Sequence, residues 1–258
     1  MNLRHLMNTF TAITSIILSF LVIGIDVQLN PNSSEKLPEV KTVLFTYTSD
    51  TTLTLEEKSV IEKALTQHTN QVSMVLTKLP DTIMYKVNIV DHNLDIVKGV
   101  SGMTLRHKMN ALIQVDLSSQ YPGGVVKAGQ DGLKSLLWHE LHHVQRGWSI
   151  EQNEFEQGID IAAINEGLAV VFAEEYTGES EVVNSKADVT DAWVDEILQL
   201  PKEADYMTWV SGIHPDGRSY IGYRTGNYII RKAMEKSSKS ILALSELSPT
   251  EIFELAGY

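Results

Sequence analysis

The stretch Leu136-Leu137-Trp138-His139-Glu140-Leu141-His142-His143-Val144-Gln145-Arg146 constrains this chain more than any other. It holds His-Glu-x-x-His at His139, Glu140 and His143. On a helix turning about 100° per residue, the two histidines lie roughly 40° apart and one turn above each other. Both imidazoles can reach one metal ion while Glu140, on the same side, faces a water bound to it. Leu133, Leu137, Leu141 and Val144 form an apolar stripe beside that face. Asp131 is the expected N-cap and Gly147 the expected C-cap. An ordinary amphipathic helix that happens to carry histidines has the same periodicity, so a third ligand is what separates the two readings.

The chain has no cysteine, which excludes thiolate ligands, disulfides and thiol catalysis. Any metal is therefore held by His, Asp or Glu. A further His six residues beyond His143 would complete one known type of site, but Ser149 stands there. The other common solution is a Glu on the following helix, and Asn165-Glu166-Gly167-Leu168-Ala169 offers Glu166. Glu154, Glu156 and Asp160 are the alternatives. Gly167 inside a helix costs about 1 kcal/mol relative to Ala, and close approach to the metal helix would explain it.

At 258 residues and 43% hydrophobic, the chain can bury the core of one domain. A net charge of −12 opposes binding to nucleic-acid phosphates and leaves no basic patch for anionic lipid. Residues 1–30 have the layout of a signal peptide or N-terminal membrane anchor. Arg4 precedes an uncharged run, and Ile16 to Ile25 is densely apolar, so residues 10–25 can attach the chain to a membrane. Residues 31–39 read as a linker. The implied destination is export, to the cell envelope or to secretion, which suits a chain that needs no oxidant to fold.

Residues 40–258 then form the expected domain. Val40 to Thr48 alternates as a first strand, and Thr54-x-x-Glu57 opens a helix carrying Ile61, Leu65, His68 and Val72, with His68 packed or half-exposed. Ile83 to Val90 and Ala111 to Leu117 read as two more strands. Between them, Gly99, Gly102 and Arg106-His107-Lys108 suggest a loop or hairpin edge with a solvated basic turn. Helices follow over Ile159 to Tyr176, Val189 to Leu200 and Tyr220 to Met234, and Ser248-Pro249-Thr250-Glu251 starts a short last one. The fold class is α+β: a small N-terminal mixed sheet with a packed helix, then a mainly helical half containing the metal helix.

His-Glu-Leu-His-His-Val-Gln-Arg, Glu-Gly-Leu-Ala-x-x-Phe-x-Glu-Glu and Gly-Tyr-x-x-Gly together resemble the YjaZ-like bacterial family of predicted Zn-dependent proteases, over roughly Ala111 to Tyr258. More broadly the pattern is similar to gluzincins. That resemblance implies a zincin-like fold, zinc as cofactor, His139, His143 and Glu166 as ligands, and Glu140 as general base. Thermolysin-like members carry an Asp four residues beyond the ligand Glu, where this chain has Val170. The group orienting a ligand histidine must then be another carboxylate or a backbone carbonyl.

The expected reaction is hydrolysis of a peptide or protein substrate. Glu140 takes the proton of a metal-activated water and passes it to the leaving amine. Tyr220, Tyr223 and His214 are candidates to stabilise the oxyanion, and the motif Gly222-Tyr223-x-x-Gly226 favours Tyr223, which can equally anchor one helix on another. His142, farther round the helix from His143, suits packing rather than ligation, and Arg146 suits a structural ion pair. By analogy with zincins, Ala111 to Leu117 would be the strand that binds an extended peptide. Two competing readings are a catalytically silent zincin-like domain that binds a peptide or protein partner, and an envelope-anchored interaction protein without metal.

Overall fold

In a computed structural model of the chain, described for residues 41–48, 53–149 and 153–258, the first strand β1 (Thr42–Tyr47) leads into helix α1 (Leu55–Ser73) and returns as β2 (Thr82–Val90). A helix between two strands makes them parallel, and β1 and β2 pair in that sense. The expected signal peptide and linker lie outside the described residues. No described helix is long and apolar enough to cross a membrane.

Helix α1 starts where the capping box predicts. The Thr54 hydroxyl accepts from the Glu57 amide, and the Glu57 carboxylate accepts from the Thr54 amide at 2.8 Å. Ile61, Leu65, Thr69 and Val72 form its buried face, while His68 is half-buried against Gln71.

Strands β3 (Val100–Arg106) and β4 (Asn110–Ser118) complete a mixed four-stranded sheet in the order β1-β2-β4-β3. β4 runs parallel to β2, and β3 runs antiparallel to β4. The sequence predicts only a loop or hairpin edge around Gly99 and Gly102, and the structure corrects this to a full edge strand. Gly102 is not a breaker there. A Cβ on it would stand 2.9 Å from a Leu136 methyl, so the gap in the apolar pattern is room for the metal helix. The same finding moves the sheet edge: β4 is internal, and β3 is the edge beside the site. His107, expected in a solvated turn, is instead buried, with Glu154 3.5 Å away and its pKa lowered by that burial.

Ile83, Tyr85 and Val87 on β2, with Ala111, Ile113, Val115 and Leu117 on β4, are buried on one face. The opposite face stays partly open and holds a polar cluster in which Asn88 and Gln114 donate to Asp116. This explains the alternation of strands that are parallel but covered on one side only.

The metal-motif helix α2 (Gly124–Arg146) packs against α1, β3 and β4. It begins two turns before the expected N-cap. Asp131 lies inside it, paired with Lys127 and accepting from the Tyr121 hydroxyl at 3.0 Å. The first turns escape a propensity reading because they carry glycines, yet Gly132 among them seats the helix against the sheet. A Cβ on Gly132 would meet Val100 at 2.4 Å. The C-terminus is as predicted: Gly147 has φ 77°, and the amides of Gly147 and Trp148 bond back to Val144 and His143.

Helix α3 (Ile159–Thr177) is buried on all sides from Ala162 to Ala173, packed against α2 and α5 (Ile221–Ser237). Short helices α4 (Asp191–Leu198), α6 (Ile241–Leu244) and α7 (Pro249–Ala256) cover the flanks, giving an α+β fold whose C-terminal half is mainly helical. Gly167 does allow a close approach, but to α5 rather than to the metal helix. A Cβ on it would stand 2.3 Å from the Gly226 carbonyl carbon, and one on Gly226 would stand 2.0 Å from the Ala163 carbonyl oxygen.

Candidate metal centre

His139 and His143 project from α2 into the space facing α3, and Glu166 projects back from the middle of α3. The two Nε2 atoms are 3.0 Å apart, and Glu166 Oε2 lies 3.1 Å from His139 Nε2 and 3.0 Å from that of His143. His143 and Glu166 are buried, and His139 is open to a cavity. Burial opposes charge on Glu166, yet the two imidazoles hold its carboxyl well below the usual carboxylate range.

The donor set fits a divalent cation. Two imidazole nitrogens and a carboxylate oxygen lie within 3.1 Å of one another, and each can offer a lone pair to one cation. Tetrahedral zinc with bonds of about 2.0–2.1 Å sets its ligand atoms roughly 3.3 Å apart, close to the spacing seen here.

The second oxygen of Glu166 is held by residues that no sequence motif marked. The Tyr206 hydroxyl donates to Oε1 at 2.7 Å, and the Trp148 indole N–H lies 3.4 Å from the same atom. Trp148 arrives through the turn set by Gly147. Tyr206 immediately precedes a single π-helical turn, Met207–Ser211. Burial, Glu166 and Tyr223 raise the Tyr206 pKa well above its ordinary value, so the phenol keeps its proton. Val170, four residues beyond Glu166, lies in the cavity wall, and His143 Nδ1 meets no hydrogen-bond partner among the described residues. The expected orienting partner for that histidine is therefore not found. Orientation is applied to the carboxylate instead.

Glu140 is buried at 4% exposure and borders the cavity. The Thr104 hydroxyl, from edge strand β3, lies 2.9 Å from its Oε2 and 3.0 Å from its backbone carbonyl. Tyr223, from the first turn of α5, stacks on the His139 ring with centroids 5.9 Å apart and borders the same cavity. Its pKa is raised well above the ordinary value by burial, Glu166 and Glu140. Tyr220 also lines the cavity, as the residue capping α5, with φ 52°. His214 does not join them: Asp216 engages its Nδ1 at 2.9 Å and its ring packs on Trp209.

The fallback acids stand apart from the histidine pair, with Glu154 paired to Lys108 and Glu156 to Lys202. His142 turns away from the group, bonding Ser245 at 2.8 Å and packing on Phe172. Arg146 corrects the expectation of an ion pair. It donates to the Asn165 side chain and the Ser245 carbonyl and lies over Phe155, and burial lowers its pKa to about 10.

Fold and site thus define an α+β protein whose central helices bring together a His-His-Glu group able to hold a metal ion. A family model described as "Predicted Zn-dependent protease (DUF2268)" matches residues 125–254, and the chain belongs to that family. No curated protein and no solved structure matches the chain.

Proposed function

We propose that this protein is a zinc-dependent metallopeptidase of gluzincin type, with a zincin-like fold. The observation that carries the reading is the convergence of His139, His143 and Glu166 beside a cavity that Glu140 also borders. Bound there, zinc supplies Lewis acidity and lowers the pKa of a water to around 7.

The remaining steps belong to the chain. The Glu140 carboxylate, fixed by Thr104, takes a proton from the attacking water and delivers it to the leaving amine. The Tyr223 phenol, protonated at any physiological pH, donates to the carbonyl oxygen as negative charge grows on it. Tyr206 and Trp148 occupy one oxygen of Glu166 and leave the other for the metal. The substrate is a peptide or protein, with β3 as the sheet edge nearest the site. We further propose that residues 1–30 direct export or anchor the chain, residues 31–39 act as a linker, and residues 40–258 work at the cell envelope or beyond it. The uncharged run in residues 10–25 supports this.

Peptide-library cleavage tests the proposal. Hydrolysis is expected to stop on chelation and return with added zinc. Glu140→Gln should lower kcat/KM by about 10²–10⁴ with zinc retained. Zinc and peptide binding without any hydrolysis would instead mark a silent binding domain.

A further inference from the structure

The cavity beside the three converging side chains has a volume of about 330 Å³ and a lining of two kinds. Val97, Val100, Leu136, Val170 and Ala173 form its apolar part. The end of α3 and the segment after it contribute three carboxylates, Glu174, Glu179 and Glu181. Two of them are already neutralised. Glu174 pairs with Arg231, and Glu179 pairs with Lys98 and, at 3.7 Å, with Lys134.

Glu181 forms no ion pair among the described residues, although it is half-buried. Ser135 stands close enough to donate to it; of the two bases whose charge favours its carboxylate, His139 belongs to the metal-binding group and Lys98 is committed to Glu179. Burial consequently raises the Glu181 pKa. A carboxylate in an apolar-walled cavity without a cation is destabilised, and an incoming cation relieves it. The apolar wall fits the methylene stem of a long basic side chain whose charged head reaches beyond it. A free α-amino group has no such stem to cover that wall.

We propose that Glu181 is the specificity-determining residue of this site: its carboxylate receives the ammonium or guanidinium of a lysine or arginine side chain whose stem lies along Val97, Val100 and Val170. Because His139, Glu140 and Tyr223 border the same cavity, that basic residue lies next to the scissile bond. The inference rests on the metallopeptidase reading and names its substrate class.

The test uses N-acetylated octapeptide libraries, random except for one fixed Lys, Arg or norleucine, with purified full-length chain and zinc. Cleavage next to Lys or Arg should exceed cleavage next to norleucine by about ten- to hundredfold in kcat/KM. In Glu181→Gln the ratio should fall to about one, and in Glu181→Lys it should shift towards peptides carrying Glu. A second readout needs no turnover. A fluorescein-labelled, N-acetylated lysine peptide should bind the zinc-loaded Glu140→Gln chain more tightly than its norleucine counterpart, and adding Glu181→Gln should remove the difference. Cleavage without basic preference, a preference that survives Glu181→Gln, or a requirement for a free amino terminus overturns this inference and leaves the metallopeptidase reading standing. Absence of both cleavage and zinc uptake overturns the two together.

Discussion

Glu166 sits near the middle of a helix whose residues from Ala162 to Ala173, apart from Asn165 and Glu166 itself, are apolar or small, and a carboxylate there is costly unless its charge is met. It is met twice, by two imidazoles on one oxygen and by a phenol and an indole on the other. Tyr206→Phe removes the shorter of the second pair. It should weaken zinc binding by about 10- to 100-fold, measured by competition with a chromogenic chelator. An unchanged zinc affinity would mean that Tyr206 does not orient the ligand. At this scale the histidine pair and Glu140 were legible because helical spacing places them, and Glu166 because a third ligand was sought on the following helix. Tyr206, Trp148 and Thr104 were not. Each is a single residue from a separate segment, and its role appears only once chain turns bring those segments together.

The crossing of α3 and α5 is the element on which the site's position depends. Gly167 and Gly226 let the two backbones touch, so Gly167→Ala should destabilise the protein by about 1–3 kcal/mol or more in urea unfolding and loosen zinc as Glu166 shifts. Undiminished stability would show that the helices separate without strain. On the outer flank, Asp191 at the start of α4 accepts from Lys232 at 2.7 Å, from Tyr228 at 3.1 Å and from the hydroxyl of the C-terminal Tyr258. Lys232 and Tyr258 lead the interactions that lower its pKa to about 2. A carboxyl with a depressed folded-state pKa contributes stability that is complete above the unfolded value of about 3.9 and is lost as pH falls towards 2. Asp191→Asn should therefore flatten the decline of melting temperature between pH 4 and 2, and an unchanged slope would exclude this carboxylate as its source. Capping boxes and the Gly147 stop were readable from local chemistry. The start of α2 and strand β3 were misread because glycines look like breakers, although Gly132 and Gly102 are clearances for a neighbouring element.

Over the whole molecule, a one-sided mixed sheet carries α2 on its covered face, and α3 meets α2 from the helical half, so the site lies where the two halves of the chain join. The α+β class and the order of elements, β3 and α6 apart, followed from periodicity. The strand order β1-β2-β4-β3 did not, because no local pattern says which strand becomes the edge. Zinc binding only the folded state should raise the thermal midpoint in proportion to the logarithm of free zinc, and a midpoint indifferent to zinc would argue against a site built by folding. The most direct measurement is zinc per chain, by elemental analysis of the purified protein and of Glu166→Ala after identical dialysis. One zinc ion per chain in the parent, and little or none in the variant, is the predicted result. A parent without zinc, or a variant that keeps its full complement, would contradict the site.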